Sequence, residues 1–371
     1  MIVRPAQCAK SRSMKRKGAA LALSMGLISA ARTLQAGRAT VLTYHGVLSD
    51  TNYADDFLDH NFVSAAAFDR QLAYLCTHYR PIPLAQLVEC YAGGVNPPRN
   101  SVVITFDDGF ANNCSVAWPL LRRRNVPFTI FVTTGMVGVA GAQLWTERVK
   151  RAVYLSTKTE VSLDFETGKK QLDLSSRVTR AAAARATVNG LKRLSPIQRD
   201  AVVTQVEMTC GRPALRPDEQ ERYEFLSWEQ IRTMAAEGVE FGSHTVNHPI
   251  LTTLNSEVLR NELQNSKRTL ESHVRRECYS FAYPNGSSSD YGPREKAELS
   301  ALGYRCALSL NGTLNGRRAD LLEIDRININ RQHDDAMFRA AAAGLLGRVR
   351  RARERWTTSH KAPAATGEVR T

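Results

Sequence analysis

Short apolar runs that stop at residues able to carry charge recur along this chain, and they constrain its fold more than any other feature. Ser101-Val102-Val103-Ile104-Thr105-Phe106 runs straight into Asp107-Asp108-Gly109. Ala39 to Tyr44 ends in His45, and Val239 to Ser243 ends in His244. Tyr279 to Ala282 is an aromatic run broken at Tyr283-Pro284-Asn285-Gly286, a turn signal. β-Branched runs without alternation suit strands covered on both faces, the environment of a parallel sheet. Helical stretches separate them: one capped by Ser64 and running through Phe68, Leu72 and Leu75, then Leu84 to Tyr91, Ala117 to Arg124, Asn255 to Val274 and Asp290 to Leu302. Further strands are expected over Phe128 to Thr133, Tyr304 to Ser309 and Leu322 to Ile329. This alternation predicts an α/β barrel, and in such folds ligands sit where the strands end.

The residues at those ends suggest chemistry. Adjacent carboxylates repel unless a cation lies between or beside them, so Asp107 and Asp108 make sense as one base and one metal ligand. By itself Asp-Gly also reads as a plain turn. His244-x-x-x-His248 strengthens the metal reading, because histidines four apart share one face of a helical turn and can reach one ion.

Thr105-Phe106-Asp107-Asp108-Gly109, then Ser243-His244 with His248-Pro249, then Phe281-Ala282-Tyr283-Pro284-Asn285-Gly286, in that order, resemble the polysaccharide deacetylases of carbohydrate esterase family 4, the NodB-homology domain, across residues 40 to 335. The resemblance implies an incomplete (β/α) barrel. It implies that Asp107 is the base and that Asp108, His244 and His248 bind one divalent ion, zinc in the first instance, with cobalt, nickel or manganese as alternatives. Tyr283, Pro284 and Asn285 would then line the substrate and oxyanion position. The implied reaction removes N-acetyl groups from an amino-sugar polysaccharide or lipid-linked glycan in cell-surface or exopolysaccharide synthesis. A metal phosphoesterase and a catalytically dead carbohydrate-binding barrel are the competing readings.

Two departures from the family pattern matter. Where many members carry an arginine partner for the base this chain has Ala282, so something else must hold the base, a role that Asp325 or Arg326 could fill. No late Leu-x-His motif supplies the acid, which leaves His45, at the end of the first strand, ahead of His333 in its polar run.

Residues 145–225 interrupt the strand and helix rhythm. A hairpin signal at Glu166-Thr167-Gly168 and an Ala/Arg-rich helix over Ser176 to Leu194 read as an inserted subdomain. The catalytic domain is expected over residues 39–338. The net charge of +14 lies at the ends: residues 1–38 hold eight Lys/Arg and no acid, and residues 339–371 hold eight against Glu354 and Glu368. A near-neutral body argues against nucleic-acid binding. The basic ends, including a helix over Arg348 to Trp356 before a disordered tail, suit peripheral association with an anionic membrane. Residues 15–38 have the outline of a signal peptide, but Ser24, Gly26 and Ser29 dilute the apolar run. Seven cysteines without a C-x-x-C pair read as reduced and buried, favouring a cytoplasmic site, peripheral at the inner membrane face.

Overall fold

The computed structural model describes residues 16–347 apart from 24, 36, 56, 166 and 167, so the basic helix and tail expected beyond Arg348 lie outside the described residues. Six parallel strands follow the chain in order around one sheet: β1 (Arg38–Tyr44), β2 (Ser101–Phe106), β3 (Thr129–Val132), β4 (Glu240–Ser243), β5 (Ser280–Ala282) and β6 (Cys306–Ser309). Every residue of β2, β3, β5 and β6 is buried, as runs without alternation require.

The last strand nearly closes the sheet. It forms as two pieces, β7 (Ile324–Asp325) and β8 (Ile327–Asn328). β7 pairs with β6, and β8 pairs with β1 on the opposite side, so one short segment bridges both sides of the barrel. The single strand expected over Leu322 to Ile329 is therefore broken at Arg326. The reason is local: the Arg326 N–H donates to the Ser309 carbonyl on one edge, whereas the Ile329 N–H donates to the Thr43 carbonyl on the other.

Helices cover the barrel and begin where their caps stand. Ser64 accepts from the Ala67 N–H, Asn255 from the Val258 N–H, and Ser227 forms a capping box with Gln230. The helix Ser256–Val274 buries Leu259, Leu263 and Leu270 against the barrel core with Phe241 and Phe281. Each such side chain contributes about 1.5–3 kcal/mol relative to exposure.

Between β3 and β4 the chain leaves the barrel. Helices Trp145–Tyr154, Arg177–Leu191 and Pro196–Cys210 pack with the hairpin Glu160–Phe165 and Gly168–Asp173. Their own cluster centres on Val149, Val153, Leu163, Leu172, Leu191 and Val203. Phe57 and Leu58, from the stretch after β1, complete it. A buried ion pair at 2.9 Å joins Arg151 to Glu219 in the adjoining helix Pro217–Tyr223. The six cysteines among the described residues are free, but the expectation of burial is corrected: Cys210, Cys278 and Cys306 are buried, Cys76 is exposed, and Cys90 and Cys114 are half-buried, while Cys8 lies outside the described residues.

Candidate active site

Strand register sets the site. Tyr44 pairs with Phe106, so His45 and Asp107, each one residue on, emerge level with each other. Phe281 pairs with Ser243, which likewise places His244 beside Ala282. All four positions lie at the C-terminal edge of the sheet.

Asp107 is almost fully buried, and its carboxylate is gripped by Arg326. The guanidinium Nη1 lies 2.6 Å from one oxygen and Nη2 2.8 Å from the other, a fork-on-fork pair. Arg326 is itself completely buried; its Nε also donates to the Ser309 carbonyl at 3.1 Å and its Nη1 to the Thr43 and Thr105 hydroxyls at 3.2 and 3.4 Å. Of the two residues expected to replace the missing arginine at position 282, Arg326 is therefore the one that does so. Asp325 instead accepts from the hydroxyls of Ser309 and Thr313. Burial drives the Asp107 carboxyl upward, but the Arg326 charge and hydrogen bonds, with His244, outweigh it and hold the group below the usual carboxylate range.

The neighbouring carboxylate is in the opposite state. Asp108 and Gly109 take φ of 70° and 83°, a left-handed turn that is strained at the aspartate and accepted at the glycine. The Asp108 carbonyl accepts from the Thr133 N–H and that of Gly109 from Leu226, pinning the turn. Asp108 Oδ1 is buried with no hydrogen-bond partner among the described residues. It faces His244 Nε2 at 3.6 Å and His248 Nε2 at 3.4 Å. Burial, then Asp107 and Glu147, push the Asp108 carboxyl well above its ordinary range.

The histidines converge, but not on a helix. Residues 244–248 form an irregular loop in which Thr245 and His248 have φ of 68° and 54°. The helical-turn expectation is corrected here. Glu262 accepts from the N–H groups of Val246 at 2.8 Å and Asn247 at 3.0 Å, and the Thr245 hydroxyl accepts from the His248 N–H at 2.9 Å. Those bonds curl the loop so that both rings face Asp108. His244 Nδ1 lies 2.7 Å from the Ala282 carbonyl, which makes Nδ1 the donor and leaves Nε2 as a lone-pair acceptor toward Asp108. Burial lowers both imidazoles, His248 further because His244 stands beside it.

This donor set fits a divalent cation. One ligand atom from each of Asp108, His244 and His248 lies within 4.8 Å of the others. One carboxylate and two neutral imidazoles suit zinc-like ions and leave positions open for water and substrate. An orphaned buried carboxylate oxygen facing two imidazole nitrogens costs free energy unless something cationic satisfies it.

The remaining expected residues divide. Among the described residues, His45 Nδ1 is buried without a hydrogen-bond partner. Burial lowers His45 to about 4, opposed by Asp107 and reinforced by Arg326, His244 and Lys150. His333 is held by Asn330, with Nδ1 3.1 Å from the amide oxygen. Tyr283 is held in place: its N–H donates to the Leu308 carbonyl, its hydroxyl to the Leu322 carbonyl at 2.8 Å, and its ring stacks on Tyr291. Pro284 has no N–H, and its carbonyl accepts from Gly286. Asn285 alone of the three retains a donor suited to an oxyanion, its backbone N–H, in a left-handed conformation with φ of 61°.

Sequence reasoning missed what the excursion brings to this edge. Lys192, just past the helix Arg177–Leu191, donates to Asn285 Oδ1 at 2.5 Å. Lys150 pairs with Glu147 at 2.7 Å, and both act electrostatically on Asp108. Glu262 was missed as well. A lysine on a solvent-like helix or a glutamate on an amphipathic one carries no local sign of such a partner.

The profile of the polysaccharide deacetylase family matches residues 94–189 and 197–307, more than half of the chain. The chain belongs to the polysaccharide deacetylases. Among solved structures this deacetylase is similar to IcaB from Ammonifex degensii, with a TM-score of 0.53 and 20% identity over 83% of this chain and 97% of that one. It is also similar to the Streptococcus pyogenes deacetylase PplD in complex with acetate, with a TM-score of 0.51 and 19% identity over 79% and 92%. At such identity these likenesses speak to the fold, a barrel of the NodB type. A stretch of 74 residues is 35% identical to the poly-β-1,6-N-acetyl-D-glucosamine N-deacetylase of Escherichia coli K12, covering 19% of this chain and 11% of that relative.

Proposed function

We propose that this deacetylase hydrolyses N-acetyl groups of an amino-sugar polysaccharide or lipid-linked glycan, with one divalent ion, zinc before cobalt, nickel or manganese, on Asp108, His244 and His248. The observation that carries the reading is the ionised, arginine-clamped Asp107 next to three convergent ligand atoms. When bound, the ion would act as a Lewis acid toward the acetyl carbonyl and lower the pKa of a water. Asp107, kept a carboxylate by Arg326, takes the proton of the attacking water. The Asn285 N–H is the chain's donor to the oxygen of the tetrahedral intermediate, and Lys192 steadies its loop. His45 protonates the leaving amine. Burial leaves it neutral at pH 7 in the free site, so it delivers to the amine the proton that Asp107 has taken from the water, received as negative charge develops on the substrate.

The direct test is acetate release from N-acetylated glucosamine oligomers, β-1,6-linked ones included because of the matched Escherichia coli relative. Activity should vanish on chelation and return with one zinc per chain. No acetate from any oligomer, or release indifferent to chelation, would reject the proposal.

His45→Ala should keep the ion and lose on the order of a hundredfold or more in rate on the amide. The loss should be much smaller on an activated acetate ester, whose leaving group needs no proton, and His333→Ala should be nearly silent. Equal losses on amide and ester would make His45 a support rather than an acid.

A further inference from the structure

Before β1 the chain forms a short helical hairpin, residues 16–23 and Leu27–Thr33. Ala19, Ile28 and Ala31 bind it to the body, buried with Met337, Ala340 and Ala343 around the helix Asp335–Ala342. Arg16 is tied to Asp334 at 3.2 Å. The leucines and Met25 are left outside. Leu21 is 60% exposed, Met25 63%, Leu27 48% and Leu34 72%, with Leu23 at 36%. Of the eleven exposed large apolar residues among the described residues, five fall between positions 21 and 34. Residues this apolar are not needed to hold the hairpin down, and an exposed cluster of them marks an interaction surface.

Charge identifies the occupant. Residues 1–38 carry eight Lys/Arg and no Asp or Glu, so the apolar cluster sits within a wholly cationic segment. No helix of the described residues is long and apolar enough to cross a membrane. A short basic element with exposed leucine and methionine matches a surface that offers anionic headgroups above an acyl boundary. We propose that this hairpin is a monotopic docking element that lays Leu21, Met25, Leu27 and Leu34 into the interface of an anionic lipid bilayer, with the basic residues on the headgroups. This surface is independent of the catalytic reading.

The test uses the full chain and vesicles of phosphatidylcholine with and without phosphatidylglycerol. The chain should sediment with the anionic vesicles and stay in the supernatant with phosphatidylcholine alone. The variant Leu21→Ser/Met25→Ser/Leu34→Ser keeps every charge, yet its binding should fall about tenfold or more, with far-UV circular dichroism unchanged. If that variant fails to fold, the single changes Met25→Ser and Leu34→Ser carry the test, each lowering binding by a smaller factor. High salt should weaken binding of the parent chain to the anionic vesicles, because the headgroup attraction is screened. A parent chain that remains soluble with anionic vesicles, or a folded triple variant that binds as the parent does, would overturn the proposal. So would a lipid-free dimer that the triple variant converts to monomer, which would assign the surface to a second copy.

Discussion

Asp107→Asn should retain its divalent ion and lose turnover by roughly a thousandfold, within the range that a positioned general base supplies. The change removes only a proton acceptor, since the ligand atoms sit on Asp108, His244 and His248. Asp108→Ala, His244→Ala and His248→Ala should behave differently, each losing the ion as well as the activity, because two remaining protein ligands hold a divalent ion poorly. Metal content by elemental analysis beside acetate release separates the two patterns. An Asn variant that emerges free of metal would show that both carboxylates bind the ion and would end the assignment of Asp107 as base.

The second large effect concerns Arg326. Arg326→Met should cost about 3–5 kcal/mol of stability, the range for breaking a buried ion pair from one side, because it leaves the Asp107 carboxylate buried without its cation. The sign with pH follows from the direction of the shift. In the parent chain the folded carboxyl lies below its ordinary value, so its contribution is present above the unfolded pKa and is lost as acid drives pH through the folded value. Without Arg326, burial dominates and the folded carboxyl moves above its ordinary value. The deficit of the variant should then be largest at neutral pH and shrink as pH falls toward 4, the ordinary range of an aspartate. Chemical denaturation at several pH values measures this. The double change Asp107→Asn/Arg326→Met should recover much of the stability but none of the turnover. Arg326→Lys should rescue poorly, since an ammonium cannot reproduce two parallel bonds at 2.6 and 2.8 Å. A deficit unchanged from pH 7 to pH 4 would mean that Arg326 acts by packing over Phe131, whose ring it covers, rather than by charge.

Much of the site can be read before any coordinates, for a physical reason. A strand covered on both faces must be apolar at consecutive positions, and the residue that ends it must face water, a partner or a ligand. Asp107, Asp108, His45 and His244 are therefore marked by where their runs stop, and parallel pairing brings those stops to one edge. The family profile is consistent with that reading of the barrel. The choice between Asp325 and Arg326 is different in kind. Adjacent residues in a strand point to opposite sides, and only the break between the β6-paired and β1-paired halves puts the Arg326 guanidinium on Asp107. The histidine spacing was legible, but its conformation was not: four residues apart fits a helical turn, and it took Glu262, from a helix packed alongside, to impose a left-handed loop. Lys192 is the extreme case. It sits 93 positions from Asn285 in the chain. What the sequence by itself determined was the apolar periodicity that builds each strand and the identity of the groups at its end. The tertiary structure decided which charges meet, because contacts between distant residues depend on register, strand breaks and the docking of the excursion, none of which is encoded near the residues that finally touch.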